Sequence, residues 1–272
     1  RILYLPLTDR RSDHLKKPVK IALIVLCVIF LSIFVYSGYK LISTLHEYKV
    51  AEDTYNKISS DYVSPKSDKN KDKDNSDGNQ ITESSPVDVD FDALLNQCQD
   101  VVGWLYSENT VINYPVVQAE DNFYYLHRFI DGQYNASGSL FLDCTCYGDF
   151  SGKNTVLYGH NMNDGSMLAS IRNYKDQEYY NEHPVMYLNT PTQNYKIEIF
   201  SAYTTDAESD TYKMFFESEA DFARNLDDWR VQSLVSTNVD VSVDDRVITL
   251  STCTYEFYNA RFVIQGKLTP VN

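Results

Sequence analysis

The chain is 272 residues long and carries a formal net charge of −14, with 43% hydrophobic and 14% aromatic residues. The charge is uneven: residues 1–20 hold six Lys and Arg against two Asp and Glu, whereas residues 91–272 hold 11 against 25. A domain that acidic lacks the basic footprint of nucleic-acid binding, and five cysteines without a CxxC pair or a Cys/His cluster make no zinc site.

Residues 21–39 carry no charge. As a helix they span roughly 28 Å, close to the ~30 Å hydrocarbon core of a bilayer. The run is longer than the apolar region of a cleaved signal peptide and no A-x-A site follows it, so it reads as an uncleaved transmembrane anchor. Arg10, Arg11, Lys16, Lys17 and Lys20 precede it, which predicts a cytoplasmic tail over 1–20 and an extracellular chain beyond Lys40. Cys27 is a small apolar residue of the span. Leu41, Leu45, Tyr48 and Tyr55 give a weak helical pattern to about residue 59, and residues 60–86 are dominated by Asp, Lys, Ser and Asn. That composition does not offset its own ordering entropy, so residues 40–86 are expected to be a stalk and a disordered linker. Setting Gly78 at position six of a calcium loop puts Lys73 at position one and Ser84 at position twelve, which excludes an EF-hand.

Residues 87–272, roughly 185, suffice for one domain with a substantial core. Phe91, Leu94, Leu95, Cys98 and Val102 follow the helical period and predict a helix over 91–102 that stops at Gly103. Short apolar runs follow at 111–112, 114–117, 139–142, 155–158, 185–188, 195–203, 239–243, 247–250 and 262–268. They predict a mainly β domain of about eight strands, closed or nearly so. One helix interrupts them: Ser218-Glu219-Ala220-Asp221 has the form of a capping box, and Phe222, Leu226 and Trp229 recur at helical spacing to about residue 234. Cys144 and Cys146 are too close for an easy bridge and, on a strand, point to opposite faces. They and Cys98 are expected to be structural and reduced.

Three reactive side chains stand at the ends of apolar runs. Cys253 follows Val247-Ile248-Thr249-Leu250, His160 follows Thr155-Val156-Leu157-Tyr158, and Arg261 precedes Phe262-Val263-Ile264. Taken one by one, each has a bland reading, a core cysteine or one of five histidines. His14 and His46 flank the apolar span, His127 lies among aromatics and His183 precedes Pro184. Together, Cys and His form the minimal acyl-transfer pair, with sulfur attacking a carbonyl and His protonating the leaving amine. Arg does not give up its proton, so its part is electrostatic or positional.

Thr249-Leu250-Ser251-Thr252-Cys253 followed by Arg261 resembles the TLxTC…R signature of the sortases, membrane-anchored cysteine transpeptidases of Gram-positive bacteria. The similarity extends to Gly103-Trp104-Leu105, Asn113-Tyr114-Pro115-Val116-Val117, Asp121-Asn122, Gly138-Ser139-Leu140-Phe141-Leu142-Asp143 and Tyr158-Gly159-His160-Asn161. The helices at 91–102 and 218–234 resemble class B members. The resemblance implies an eight-stranded sortase-type β-barrel with an N-terminal helix and a helix before the cysteine strand, preceded by the transmembrane helix. It implies Cys253 as nucleophile, His160 as acid/base and Arg261 as stabiliser of the substrate carbonyl, and places Asn122, Leu126, Tyr212 and Ser251 along the peptide groove. Its implied partners are secreted proteins with a C-terminal sorting signal, cleaved after Thr, and a cell-wall precursor amine. No cofactor is implied, and without an acidic calcium pocket the activity is expected to be metal-independent. Alternatives are a pilin-polymerising sortase, whose usual lid ahead of the barrel is not seen between residues 85 and 111, and a non-catalytic peptide-binding module.

Overall fold

A computed structural model describes residues 17–66 and 84–272. The expected tail over 1–16 and the Asp-rich tether over 67–83 lie outside the described residues. Helix α1 (Lys17–Tyr62) opens the described chain and is long and apolar enough to cross a membrane, with a mean hydropathy of 2.8 in its most apolar window. From Tyr48 onward the same helix belongs to the packed domain, where Ala51, Tyr55 and Ile58 are buried. The domain core therefore begins ahead of residue 87. Strand β1 (Val63–Pro65) pairs antiparallel with β2 (Val87–Val89), drawing the two sides of the undescribed segment together.

Helix α2 (Phe91–Gln97) is capped by the Asp90 carboxylate, which accepts from Ala93 N. It is shorter than its apolar spacing suggests. Cys98 leaves the helix in an extended conformation, and Val102 and Gly103 belong to β3 (Val101–Tyr106). β4 (Asn113–Val117), β5 (Leu140–Leu142), β6 (Asn154–Tyr158), α3 (Gln177–Glu182), β7 (Val185–Asn189), β8 (Asn194–Asp206), α4 (Glu219–Gln232), β9 (Arg246–Cys253) and β10 (Ala260–Val271) complete the domain. Strands β3 to β10 close one barrel in the order β10-β8-β7-β3-β4-β5-β6-β9. The β4–β5 and β6–β9 pairings are parallel and the rest antiparallel. The apolar run at 111–112 lies in the turn before β4, and the run at 239–243 forms no strand.

Strands β6 and β9 are buried on two faces, so their runs are apolar without strict alternation, whereas β7 and the first half of β8 alternate. Ile248, Leu250, Phe262 and Ile264 join the barrel core, whereas Val247 and Val263 pack with Phe222, Leu226 and Trp229 of α4. The Ser218 hydroxyl caps α4 by accepting from Asp221 N at 3.2 Å, as the capping-box reading expects. Each of those three α4 side chains is almost fully buried and contributes about 1.5–3 kcal/mol.

Candidate active site

Alternation along β9 puts Val247, Thr249, Ser251 and Cys253 on one face, and Val247 shows that this face looks away from the barrel interior. Cys253 is the last residue of β9 and stands directly opposite Arg261 in the antiparallel pairing with β10. On the other side of β9 runs β6, parallel, with Tyr158 opposite Ser251. The chain stays fastened to β9 past the end of this ladder. Gly159 N donates to Ser251 O at 3.2 Å, and Thr252 Oγ1 donates to Gly159 O at 2.7 Å. A Cβ on Gly159 would lie 2.4 Å from Leu140 Cδ2 and 2.6 Å from Leu168 Cγ, so only glycine passes here. His160 follows at once.

The His160 ring is held at its edge by a backbone carbonyl, with Nε2 2.7 Å from Leu126 O. A carbonyl oxygen only accepts, so Nε2 carries the proton and Nδ1 is the basic nitrogen of the neutral ring. Leu126 lies in a 3-10 turn, Tyr125–His127, and the His127 ring stacks on His160 with centroids 5.3 Å apart. Burial pushes the His160 pKa below the usual imidazole value; the Leu126 carbonyl opposes that shift and His127 adds to it. The Arg261 guanidinium is anchored by Nη1, which donates to Ala260 O at 3.0 Å.

His160, Cys253 and Arg261 line one cleft of about 270 Å³ together with Asn122, Leu126, Tyr212 and Ser251. All seven residues singled out from the sequence thus meet in one place. The Tyr212 hydroxyl lies 2.8 Å from Ser251 Oγ, and burial pushes its pKa up to about 12. Asn122 bridges the far wall: its Nδ2 donates to Asp143 Oδ2 at 2.9 Å, and its Oδ1 accepts from Cys144 N at 2.8 Å. The same Asp143 oxygen accepts from the Tyr158 hydroxyl at 3.1 Å, and its other oxygen takes Thr145 N and Oγ1. Phe141 and Tyr158 also line the cleft and Asp143 holds Asn122 and Tyr158 in place; none of the three was among the site residues expected. A carboxylate followed two residues on by Thr is the Asx-turn signal that marks Asp143 in the sequence.

Cys144 and Cys146 lie in that turn and not on a strand. Cys146 Sγ sits 3.0 Å from Met214 Sδ, and burial raises its pKa to about 11. All five cysteines are unpaired.

A closed mixed barrel presenting Cys, His and Arg in one cleft defines a cysteine acyl-transfer enzyme. The Sortase domain family model matches residues 105–269. Sortase B of Listeria monocytogenes serovar 1/2a is 35% identical over 245 residues, which cover 89% of this chain and 95% of that protein. The crystal structure of sortase B from Bacillus anthracis in complex with AAEK1 superposes with a TM-score of 0.70 at 31% identity, covering 83% of this chain and 99% of that one. A Staphylococcus aureus sortase B–substrate complex superposes with a TM-score of 0.64 at 32% identity, over 67% of this chain and 85% of that one. The chain belongs to the sortase family, in its class B, and is a cysteine transpeptidase of that type.

Proposed function

We propose that the protein is a membrane-anchored sortase that cleaves a C-terminal sorting signal after Thr and transfers the new carboxyl end to an amine of a cell-wall precursor. The observation that carries the reading is the facing pair Cys253 and Arg261 at the cleft that His160 also lines.

The neutral His160 ring takes the thiol proton as Cys253 Sγ bonds to the scissile carbonyl carbon. Negative charge gathers on the carbonyl oxygen, where the Arg261 guanidinium stabilises it by about 3 kcal/mol, the scale of other oxyanion donors. The C–N bond then breaks as His160 returns its proton to the leaving amine, and the acyl group remains on sulfur as a thioester. The incoming amine attacks this thioester, His160 takes its surplus proton, and the thiol is restored. Water in place of the amine gives simple hydrolysis. A lowered imidazole pKa serves both halves, because the ring is neutral when a base is needed and its conjugate acid is strong when the amine departs.

Asn122, Leu126, Tyr212 and Ser251 line the groove for the sorting signal. Asn122 is anchored through Asp143 and Cys144, and Tyr212 and Ser251 through each other. The apolar stretch of α1 supports anchoring through residues 21–39, and the basic residues before it support a cytoplasmic N-terminus with the catalytic domain outside.

The test is turnover of a panel of short sorting-signal peptides by the full chain in detergent, with and without an amine acceptor. Cleavage after Thr and an amine-dependent ligation product support the reading; a folded chain that cleaves no peptide contradicts it.

A further inference from the structure

His127 lies face to face with His160, with ring centroids 5.3 Å apart and planes inclined by 18°. The Tyr134 ring approaches His127 to 5.9 Å. The 3-10 turn that ends in His127 also supplies the Leu126 carbonyl to His160 Nε2, so one turn supports both the edge and the face of the same imidazole. The turn is itself fastened, with Asn135 N donating to His127 O at 3.0 Å and Ser139 N to Tyr125 O at 3.0 Å.

Packing alone does not call for a histidine here. His127 Nδ1 is buried and has no hydrogen-bond partner among the described residues. A phenyl ring would stack as well and leave no nitrogen unpaired, and unpaired buried polar atoms are rare enough to need a reason. Direct proton exchange between the rings is excluded, because the N–H bonds and lone pairs lie in the two nearly parallel ring planes. What remains is the support of one ring by the other and the field of its charge.

The geometry points to His127 as a positioning residue of the reaction, one that fixes the plane of the His160 ring and whose field opposes an imidazolium on it. This rests on His160 being the acid/base. The field of His127 adds to burial in lowering the His160 pKa. His160 then passes its proton more readily to the departing amine. The other ionisable groups around the pair are Cys253 from β9, Arg261 from β10, Tyr158 from β6 and Tyr212 across the cleft, with Tyr134 beside His127. Arg128, next in the chain, is turned onto the Tyr124 ring, and Arg172 reaches Asn161 Oδ1 at 3.4 Å.

The test is a histidine-labelled NMR titration of the full chain in detergent, alongside the pH profile of peptide turnover. His127→Phe keeps the stack and removes the charge. The His160 midpoint is expected to rise, because the field of His127 that lowers it is removed. The acid limb of kcat/KM is expected to move with it while KM stays constant. His127→Asn gives the same readout if the phenyl variant does not fold. A folded variant with an unmoved His160 midpoint overturns the inference. Undiminished turnover by His160→Ala contradicts the acid/base reading instead, so the two failures are told apart.

Discussion

The Cβ that Gly138 lacks would lie 2.2 Å from the carbonyl oxygen of Leu126, the oxygen that receives His160 Nε2–H at 2.7 Å. Gly138 has φ +55°, and its own carbonyl accepts a hydrogen bond from the Tyr55 hydroxyl of α1. Two backbone carbonyls therefore connect the packed end of α1 to His160. Gly138→Ala is expected to lower stability by about 1–2 kcal/mol through its left-handed backbone alone. The steric clash displaces the Leu126 carbonyl as well. Thermal denaturation and kcat, measured together, check this: activity should fall further than the change in stability explains.

The end of α1 is part of the domain. Tyr55 meets Tyr114 and Phe129 edge-on at 5.0 and 5.5 Å, and Ser59 Oγ accepts from Asn113 Nδ2 at 2.7 Å. A chain starting at residue 87 is expected to be less stable than one starting at residue 48, by about 3 kcal/mol or more for the lost burial of Ala51, Tyr55 and Ile58. Urea denaturation of the two chains measures the difference, and equal midpoints would contradict it.

Strands β6, β9 and β10 were legible because burial on two faces leaves runs such as Val247-Ile248 and Phe262-Val263-Ile264 apolar throughout. The meeting of His160, Cys253 and Arg261 in one cleft was legible because each marks the end of such a run. Strand β3 was not, since Cys98 and Val102 keep helical spacing with Leu94 and Leu95 although the helix stops at Gln97. The valines of 239–243 alternate like a strand, yet side chains take up carbonyls of this segment: Arg230 donates to Val241 O, Lys153 to Val243 O and Lys267 to Asp240 O. The packing of Tyr55 and the stacking of His127 on His160 join residues far apart in the chain, and no local pattern carries either.

Replacing the guanidinium separates charge from geometry. Arg261→Lys keeps the charge and loses the planar fork. Turnover is expected to fall about 100-fold or more, the scale of one lost oxyanion donor. A steady-state comparison with Arg261→Ala checks this: near-normal turnover by the lysine variant would contradict the assigned role.

Because burial lowers the His160 pKa in the folded chain, the unfolded chain binds more protons between that value and the usual imidazole value near 6.5. Stability is therefore expected to rise with pH across this window and to be lower on its acid side. His160→Gln should flatten that slope in denaturant midpoints recorded at successive pH values. The acid limb of turnover is expected below pH 6.5 for the same reason.

In the proposed reaction the sulfur of Cys253 carries the acyl group. The full chain is incubated with a sorting-signal peptide without an amine acceptor, quenched in acid, digested and read by mass spectrometry. The expected result is an acyl mass on the peptide containing Cys253, released by hydroxylamine and absent from Cys253→Ala. Cleavage that proceeds in Cys253→Ala, or an acyl mass on another residue, would contradict the account.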